Sequence, residues 1–286
     1  MNAKYTKLLP NWYLSKSESD TVLSNDLDSL LSCNILKRVN NWKIRYFWDF
    51  STLYIDKEII NKPDKSKSRV WADGSVMIPE KSFDNHLSES AEIERKNPQV
   101  INPNQLLGVK NENYHEKYSG STALMIWSLY NLPLPASERG KMILLAIDSC
   151  YLGFYNNYFR ERHEFYLSEV FGMPELLEVE RRHTKEDFER LVRELKLKSH
   201  IDYVNGKLTT ALKLKEISKE LNIEIALPCL DFQKIGTFQI VRTSLNEKIK
   251  EFIERQKNVF SLVFTKKDKL LVSYIENDYT KRGVYT

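Results

Sequence analysis

Residues 70–87 read VWADGSVMIPEKSFDNHL. Two short apolar runs, each rich in strand-forming residues, stop on an aspartate: Val70-Trp71-Ala72 on Asp73, and Phe83 on Asp84. Gly74 follows the first and Asn85-His86 the second. This punctuation predicts two strands that deliver carboxylates at the same end of a sheet, with an imidazole close by.

The flanking sequence extends the pattern. Upstream, TVLS (21–24) is a β-prone run and NDLD (25–28) is polar. In SLLSCNILKRV (29–39), Leu30, Leu31, Ile35, Leu36 and Val39 recur at helical spacing. Ser24, Asn25 or Asp26 caps that helix. WKIRYFWDF (42–50) reads as the next strand, so strand, helix and strand form a βαβ unit and predict a parallel sheet. Downstream, NKPDKSKS (61–68) is a polar connector and NPQVINPNQ (97–105) a Pro/Asn-rich loop flanking a short strand at Val100–Ile101. STALMIWSLYNL (121–132) is an apolar helix capped by Ser119 or Ser121. GKMILLAIDSCYLGF (140–154) is a buried helix ending near Asp148, a charge inside an apolar run that needs a partner.

Beyond this, residues 160–200 are helical and charge-rich, with ERRHTKEDFER read as a solvated face. IEIALPCL (223–230) reads as β. TFQIVRT, the helix NEKIKEFIERQKN and a hairpin of VFSLVF and KLLVSYI complete a smaller α+β region. The expected organisation is an α/β domain with a parallel sheet over 1–190 and an α+β domain over 191–286.

Composition sets outer limits. The chain has 286 residues, a formal net charge of +4 and 42% hydrophobic residues, enough for a sizeable core. The mild positive charge suits a polyanionic ligand but lacks the density that argues for duplex binding. No run of about 18 apolar residues suggests a membrane span. The first residues lack a secretory pattern, and the three cysteines, Cys33, Cys150 and Cys229, read as buried thiols of a reducing compartment. A cytoplasmic protein is expected.

Acidic groups thus stand at the ends of apolar elements in four places: Asp26 with Asp28, Asp73, Asp84 with His86, and Asp148. In a doubly wound sheet the loops at the carboxyl ends of the strands converge on one crevice. Carboxylates gathered there repel unless cations neutralise them, which points to a divalent metal, and an oxygen-rich set favours Mn²⁺ or Mg²⁺. Taken singly, each has a structural reading: Asp26 and Asp28 as a capping turn, Asp73-Gly74 as a turn, His86 as a structural histidine.

The order and spacing resemble the DHH phosphoesterase superfamily, which includes RecJ-like exonucleases, oligoribonucleases, cyclic-dinucleotide phosphodiesterases and manganese pyrophosphatases. SNDLDSLLSCNILKR (24–38) resembles the first motif, VWADGSV the second, SFDNHLSES (82–90) the Asp-His-His motif. INPNQ followed by YSGSTALMIWSLY resembles a RecJ-like stretch, and LLAIDSCYLGF the final aspartate motif. The resemblance covers residues 20 to 160. It implies Asp26, Asp28, Asp73, Asn85 and Asp148 as metal ligands at two Mn²⁺ or Mg²⁺ sites, with Asp73 shared. It implies His86 and Asp84 in catalysis, His86 facing the phosphate.

Ser119, Gly120, Ser121, Lys207 and Arg242 are the expected substrate contacts, with Lys196, Lys198 and Lys213 as further phosphate-binding candidates. The implied activity is hydrolysis of phosphodiester bonds in single-stranded nucleic acid or short or cyclic nucleotides. The chain departs from the pattern at Asn85, which stands where the family has a ligand histidine and weakens one metal site. No Gly-Gly-His signature follows residue 190. These departures leave the alternative of a catalytically weakened binding or scaffold subunit.

Overall fold

The computed structural model describes residues 1–15, 17–60, 67–93, 96–255 and 258–275 of the chain. Strand β1 (Ser19–Leu23) leads into the helix Leu27–Asn40, capped by Asp26, whose side chain accepts from Ser29 N. The chain returns as β2 (Lys43–Trp48), parallel to β1, which makes the expected βαβ unit. A turn at Asp49–Ser51 then sends β3 (Thr52–Asp56) back antiparallel to β2, a strand for which the sequence reading made no provision. β4 (Ser68–Ala72) crosses to the other side of β1 and pairs parallel to it. β5 (Lys81–Phe83) and β6 (Val100–Ile101) continue outward, also parallel.

β7 (Ile201–Val204) and β8 (Lys207–Thr210) form a separate hairpin, and β9 (Phe232–Thr237) adds to the outer edge of β3. The main sheet therefore has seven strands in the order β6-β5-β4-β1-β2-β3-β9, mostly parallel, so the α/β class holds. One strand of the C-terminal region is built into that sheet. IEIALPCL, expected as β, has no regular structure; Ile223 and Ile225 are buried, and the side chain of Asn34 bonds the backbone of Ala226.

Side chains alternate between two buried faces, as the pleat requires. Leu23, Phe47, Val70 and Ala72 join the main core, with the helices Leu27–Asn40 and Thr122–Leu129. Val22, Trp48 and Trp71 face the opposite way, against Phe238 and Phe260. That second face is covered by a three-stranded antiparallel sheet of β10 (Gln239–Ser244), β11 (Val259–Lys266) and β12 (Lys269–Tyr274), the last two forming the expected hairpin. β11 bonds directly to the residues on either side of β5: Met77 N to Phe260 O at 2.7 Å, Ser75 Oγ to Leu262 O at 3.0 Å and Phe264 N to Leu87 O at 2.7 Å.

The register fixes where the functional groups emerge. Leu23 is opposite Ala72, Ala72 opposite Phe83, and Phe83 opposite Ile101. The next residues, Ser24, Asp73, Asp84 and Asn102, therefore leave four adjacent parallel strands in a row. Strand order also reverses here, with β2 on one side of β1 and β4 on the other, so a crevice opens at the carboxyl ends. Among the described residues no helix is long and apolar enough to cross a membrane.

Candidate metal centre

Each carboxylate is held in place by a local device. Asp28, in the first turn of the helix after β1, is buried and accepts from Thr122 N (2.8 Å) and Ala123 N (2.7 Å). It thereby satisfies two unpaired amides at the start of the helix Thr122–Leu129. Asp73 follows β4 with φ of 62°, a left-handed conformation that aspartate tolerates, and accepts from Thr122 Oγ1 at 2.9 Å. Asp148 is also left-handed, at φ 52°, and so is Ser149 at 57°. The preceding helix accordingly ends at Ala146, and Asp148, exposed as a whole residue, lies on a turn that brings its carboxylate against those of Asp28 and Asp73, where the sequence suggested a charge enclosed by apolar residues. Ser29 ties the arrangement together, donating from Oγ to Ala72 O and accepting from Ser24 N, both at 2.7 Å.

Two overlapping groups of ligand atoms result. Those of Asp28, Asp73 and Asp148 lie within 4.8 Å of one another, as do those of Asp73, Asp84 and His86, and Asp73 is common to both. Asp26 lies beside them, lining one cleft together with Asp28 and Asp148. The four acidic places in the sequence thus converge.

The electrostatics follow from crowding like charges in a sheltered space. Burial, then the charge of Asp148, pushes the Asp26 pKa up to about 6. Burial, then Asp26, pushes Asp73 up to about 7, with His86 and the Thr122 hydroxyl pulling the other way. Asp28 is raised well above the ordinary carboxylate value by burial and then by Asp73, Asp148 and Asp26. Desolvation and then Asp73 also raise Asp148. At His86 burial opposes the charge, but the carboxylates of Asp84, Asp73 and Asp148 outweigh it and push the pKa up to about 10. His86 Nδ1 lies 2.8 Å from Asp84 Oδ1 and 3.7 Å from Asp73 Oδ1.

The Asp84-Asn85-His86 loop is locked by the asparagines of the Asn-Pro-Asn segment. Asn102 Nδ2 donates to Asp84 Oδ2 (3.0 Å) and His86 O (2.7 Å). Asn104 donates to Asn85 O (2.7 Å) and accepts from Tyr118 N (2.6 Å). Asn85 donates from Nδ2 to Gly120 O and to Asp148 Oδ2 (3.2 Å), while its buried Oδ1 has no hydrogen-bond partner among the described residues. An unpaired buried acceptor is a costly feature in a folded protein. Here it stands beside carboxylates whose mutual repulsion a cation would relieve. The donor set, all oxygen apart from one imidazole, suits Mn²⁺ or Mg²⁺.

Two clefts reach the carboxylates. One, of about 450 Å³, is bounded by Asp26, Asp28, Asp148, Lys198 and His200. The other, of about 310 Å³, opens on Asp73 and His86 between the sheet edge and β11–β12, with Trp48, Phe50, Lys117 and Ser273 in its wall. Of the expected substrate contacts, Gly120 bonds Asn85, and Ser121 caps the helix that holds Asp28, its Oγ accepting from Leu124 N at 3.1 Å. Ser119 directly precedes them. Lys207, on β8, pairs with Asp231 at 3.1 Å, and Arg242 lies on β10; neither lines the two clefts. Of the lysines named with them, Lys198 reaches a cleft.

The sequence reading missed Lys117, Thr122, His200 and the Trp48–Phe50 pair. Lys117 carries a lowered pKa from desolvation, partly offset by Asp148 and Asp84. Cys229 is exposed, unlike the buried Cys33 and Cys150, because it lies in the irregular segment after Ile225. Compared with known proteins, the chain matches no family model, no curated protein and no solved structure.

Proposed function

We propose that the protein is a divalent-metal-dependent phosphoesterase of the DHH type that hydrolyses phosphodiester bonds of single-stranded nucleic acid or of short nucleotides. The observation that carries this reading is the shared position of Asp73 between two groups of ligand atoms, each within 4.8 Å. Asp26, Asp28, Asp148 and Asp73 would hold one ion, and Asp73, Asp84 and the Asn85 carbonyl a second. Bound Mn²⁺ or Mg²⁺ would supply hydroxide from water near neutral pH and neutralise the phosphate oxygens.

The side chains then divide the work. Asp84 Oδ1 holds His86 through Nδ1, which leaves Nε2 to carry a proton toward a phosphate oxygen. Lys117, on the wall of the smaller cleft, adds positive charge where a phosphodiester would approach. Water adds to phosphorus, the P–O bond to the leaving sugar breaks, and the leaving oxygen takes up a proton.

The test is Mn²⁺-dependent hydrolysis of labelled single-stranded DNA, RNA and cyclic dinucleotides, with Asp73→Ala as control. Turnover that needs both the metal and Asp73 supports the reading. No turnover on any substrate, with no Mn²⁺ bound at millimolar concentration, overturns it. A second reading, a nucleotide-binding or scaffold subunit with weakened catalysis, draws support from Asn85. Its amide is engaged with Gly120 and Asp148 where a ligand histidine would complete the site. Mn²⁺ binding without turnover would favour it.

A further inference from the structure

Three features of the smaller cleft are unusual for packed protein, and they coincide. The first is Trp48. The indole N–H groups of Trp12, Trp42, Trp71 and Trp127 donate to Gln99 O, Ser17 O, the Glu80 carboxylate and Leu132 O respectively. Trp48, 1% exposed, has no partner for Nε1 among the described residues. Buried indole N–H groups normally find an acceptor. The second is Ser273, 5% exposed, whose Oγ is likewise without a partner among the described residues. The third is Phe50, which sits at φ 70°, a left-handed conformation that is strained for a bulky side chain. The Asp49 carboxylate enforces it by accepting from Ser51 N (3.0 Å) and Thr52 N (2.7 Å), and the Phe50 ring lies 4.6 Å from that of Trp48. All three residues line the cleft that opens on Asp73, His86 and Lys117.

We propose that this cleft is the pocket for a single nucleobase, which stacks on Phe50 and bonds to Trp48 Nε1–H and Ser273 Oγ. An apolar and aromatic wall with two unspent polar groups matches a planar heterocycle carrying ring nitrogens and carbonyls. Trp48 can only donate, so the base presents an acceptor to it; Ser273 takes either role. A volume of about 310 Å³ stands at the small end of ligand pockets, which run from about 300 to 1,000 Å³. It has room for one nucleoside, and the phosphate beside that nucleoside falls at Asp73 and His86, so a substrate that presents a terminal nucleotide fits it. This specificity rests on the phosphoesterase reading; the binding of a base does not.

The experiment is calorimetric titration of the full chain with the four ribonucleosides, which carry no phosphate, in EDTA. Parallel samples are assayed for Mn²⁺-dependent hydrolysis of bis(4-nitrophenyl) phosphate, an ester without a base. Saturable binding of at least one nucleoside is expected. Phe50→Gly, whose backbone accepts the left-handed φ, should weaken it about tenfold. Trp48→Phe, which keeps a ring but removes the N–H, should weaken it about threefold to tenfold at a temperature where the variant is still folded. If no nucleoside binds while the ester is hydrolysed, the pocket is wrong and the phosphoesterase reading stands. If nucleosides bind, Trp48→Phe weakens them and no ester is hydrolysed, the pocket stands and the activity falls. Equal binding by Trp48→Phe and the parent chain overturns the proposal.

Discussion

Replacing Asp73 by Asn should stabilise the metal-free protein. Asp73 is buried beside Asp28, Asp148 and Asp84, and its pKa is pushed from 3.8 up to about 7. A raised folded-state value means that this group favours folding fully below its unfolded pKa and loses that contribution as the pH climbs through 7. At pH 8 the penalty is about 3 pKa units at about 1.4 kcal/mol each, so about 4 kcal/mol. Asparagine removes the charge, keeps an acceptor for Thr122 Oγ1 and tolerates φ of 62°. His86 loses one of its carboxylate neighbours in exchange, so 4 kcal/mol is a ceiling.

In a chain of this size the gain corresponds to a melting temperature higher by about 3 to 8 °C in EDTA at pH 8. It should shrink to less than half at pH 5, where the folded Asp73 is protonated but the unfolded group still ionises above 3.8, and vanish only below that value. Added Mn²⁺ should raise the melting temperature of the parent protein and leave that of Asp73→Asn unmoved. Differential scanning fluorimetry at the two pH values, with and without Mn²⁺, reads all of this. A lower melting temperature for Asp73→Asn at pH 8, together with an intact Mn²⁺ response, would refute the argument that these carboxylates are strained in the absence of a cation.

Mn²⁺ affinity should itself fall by about tenfold between pH 8 and pH 6, since the ion must displace protons from Asp73 near pH 7 and Asp26 near pH 6. Isothermal titration at the two pH values checks it, and a pH-independent affinity counts against Asp73 as a ligand. Asn104→Ala leaves Asn85 O and Tyr118 N without their buried partner and should cost about 2 to 5 kcal/mol in urea denaturation; a loss below about 1 kcal/mol would show that water replaces the amide. Lys117→Met should raise KM for a phosphodiester about tenfold with little change in kcat. An unaltered KM would remove Lys117 from the binding site.

Much of the centre was legible because its geometry is a matter of register. Short apolar runs ending on Asp73 and Asp84 imply parallel strands that stop together, and the pairing of Ala72 with Phe83 is what makes their neighbours meet. The missed strand β3 has an equally physical cause. The turn before it carries Phe50 in a left-handed conformation where glycine or asparagine would normally signal a reversal, so nothing after WKIRYFWDF announces a returning strand. Lys117 and Trp48 could not be assigned from spacing, because only the packing of β11 and β12 over the sheet edge turns their surroundings into a cleft. IEIALPCL has strand composition, yet Pro228 lacks an amide hydrogen and Asn34 takes the neighbouring backbone bonds, so no ladder forms.

The pairing of β3 with β9 joins Asp56 to Phe232 and Thr52 to Thr237, positions that leave the ribosome far apart in time. During synthesis the nascent sheet can assemble β1, β2, β4, β5 and β6 while β3 still shows a free edge, and such edges invite pairing with other chains. Closing the sheet must await a long-range contact of the kind that slows folding. A nascent chain of this protein therefore passes through a stage in which its clustered aspartates have already been made but its sheet is open on one side. Protection of that edge, by slow translation or a holding chaperone, would matter more for yield than the stability of the finished molecule.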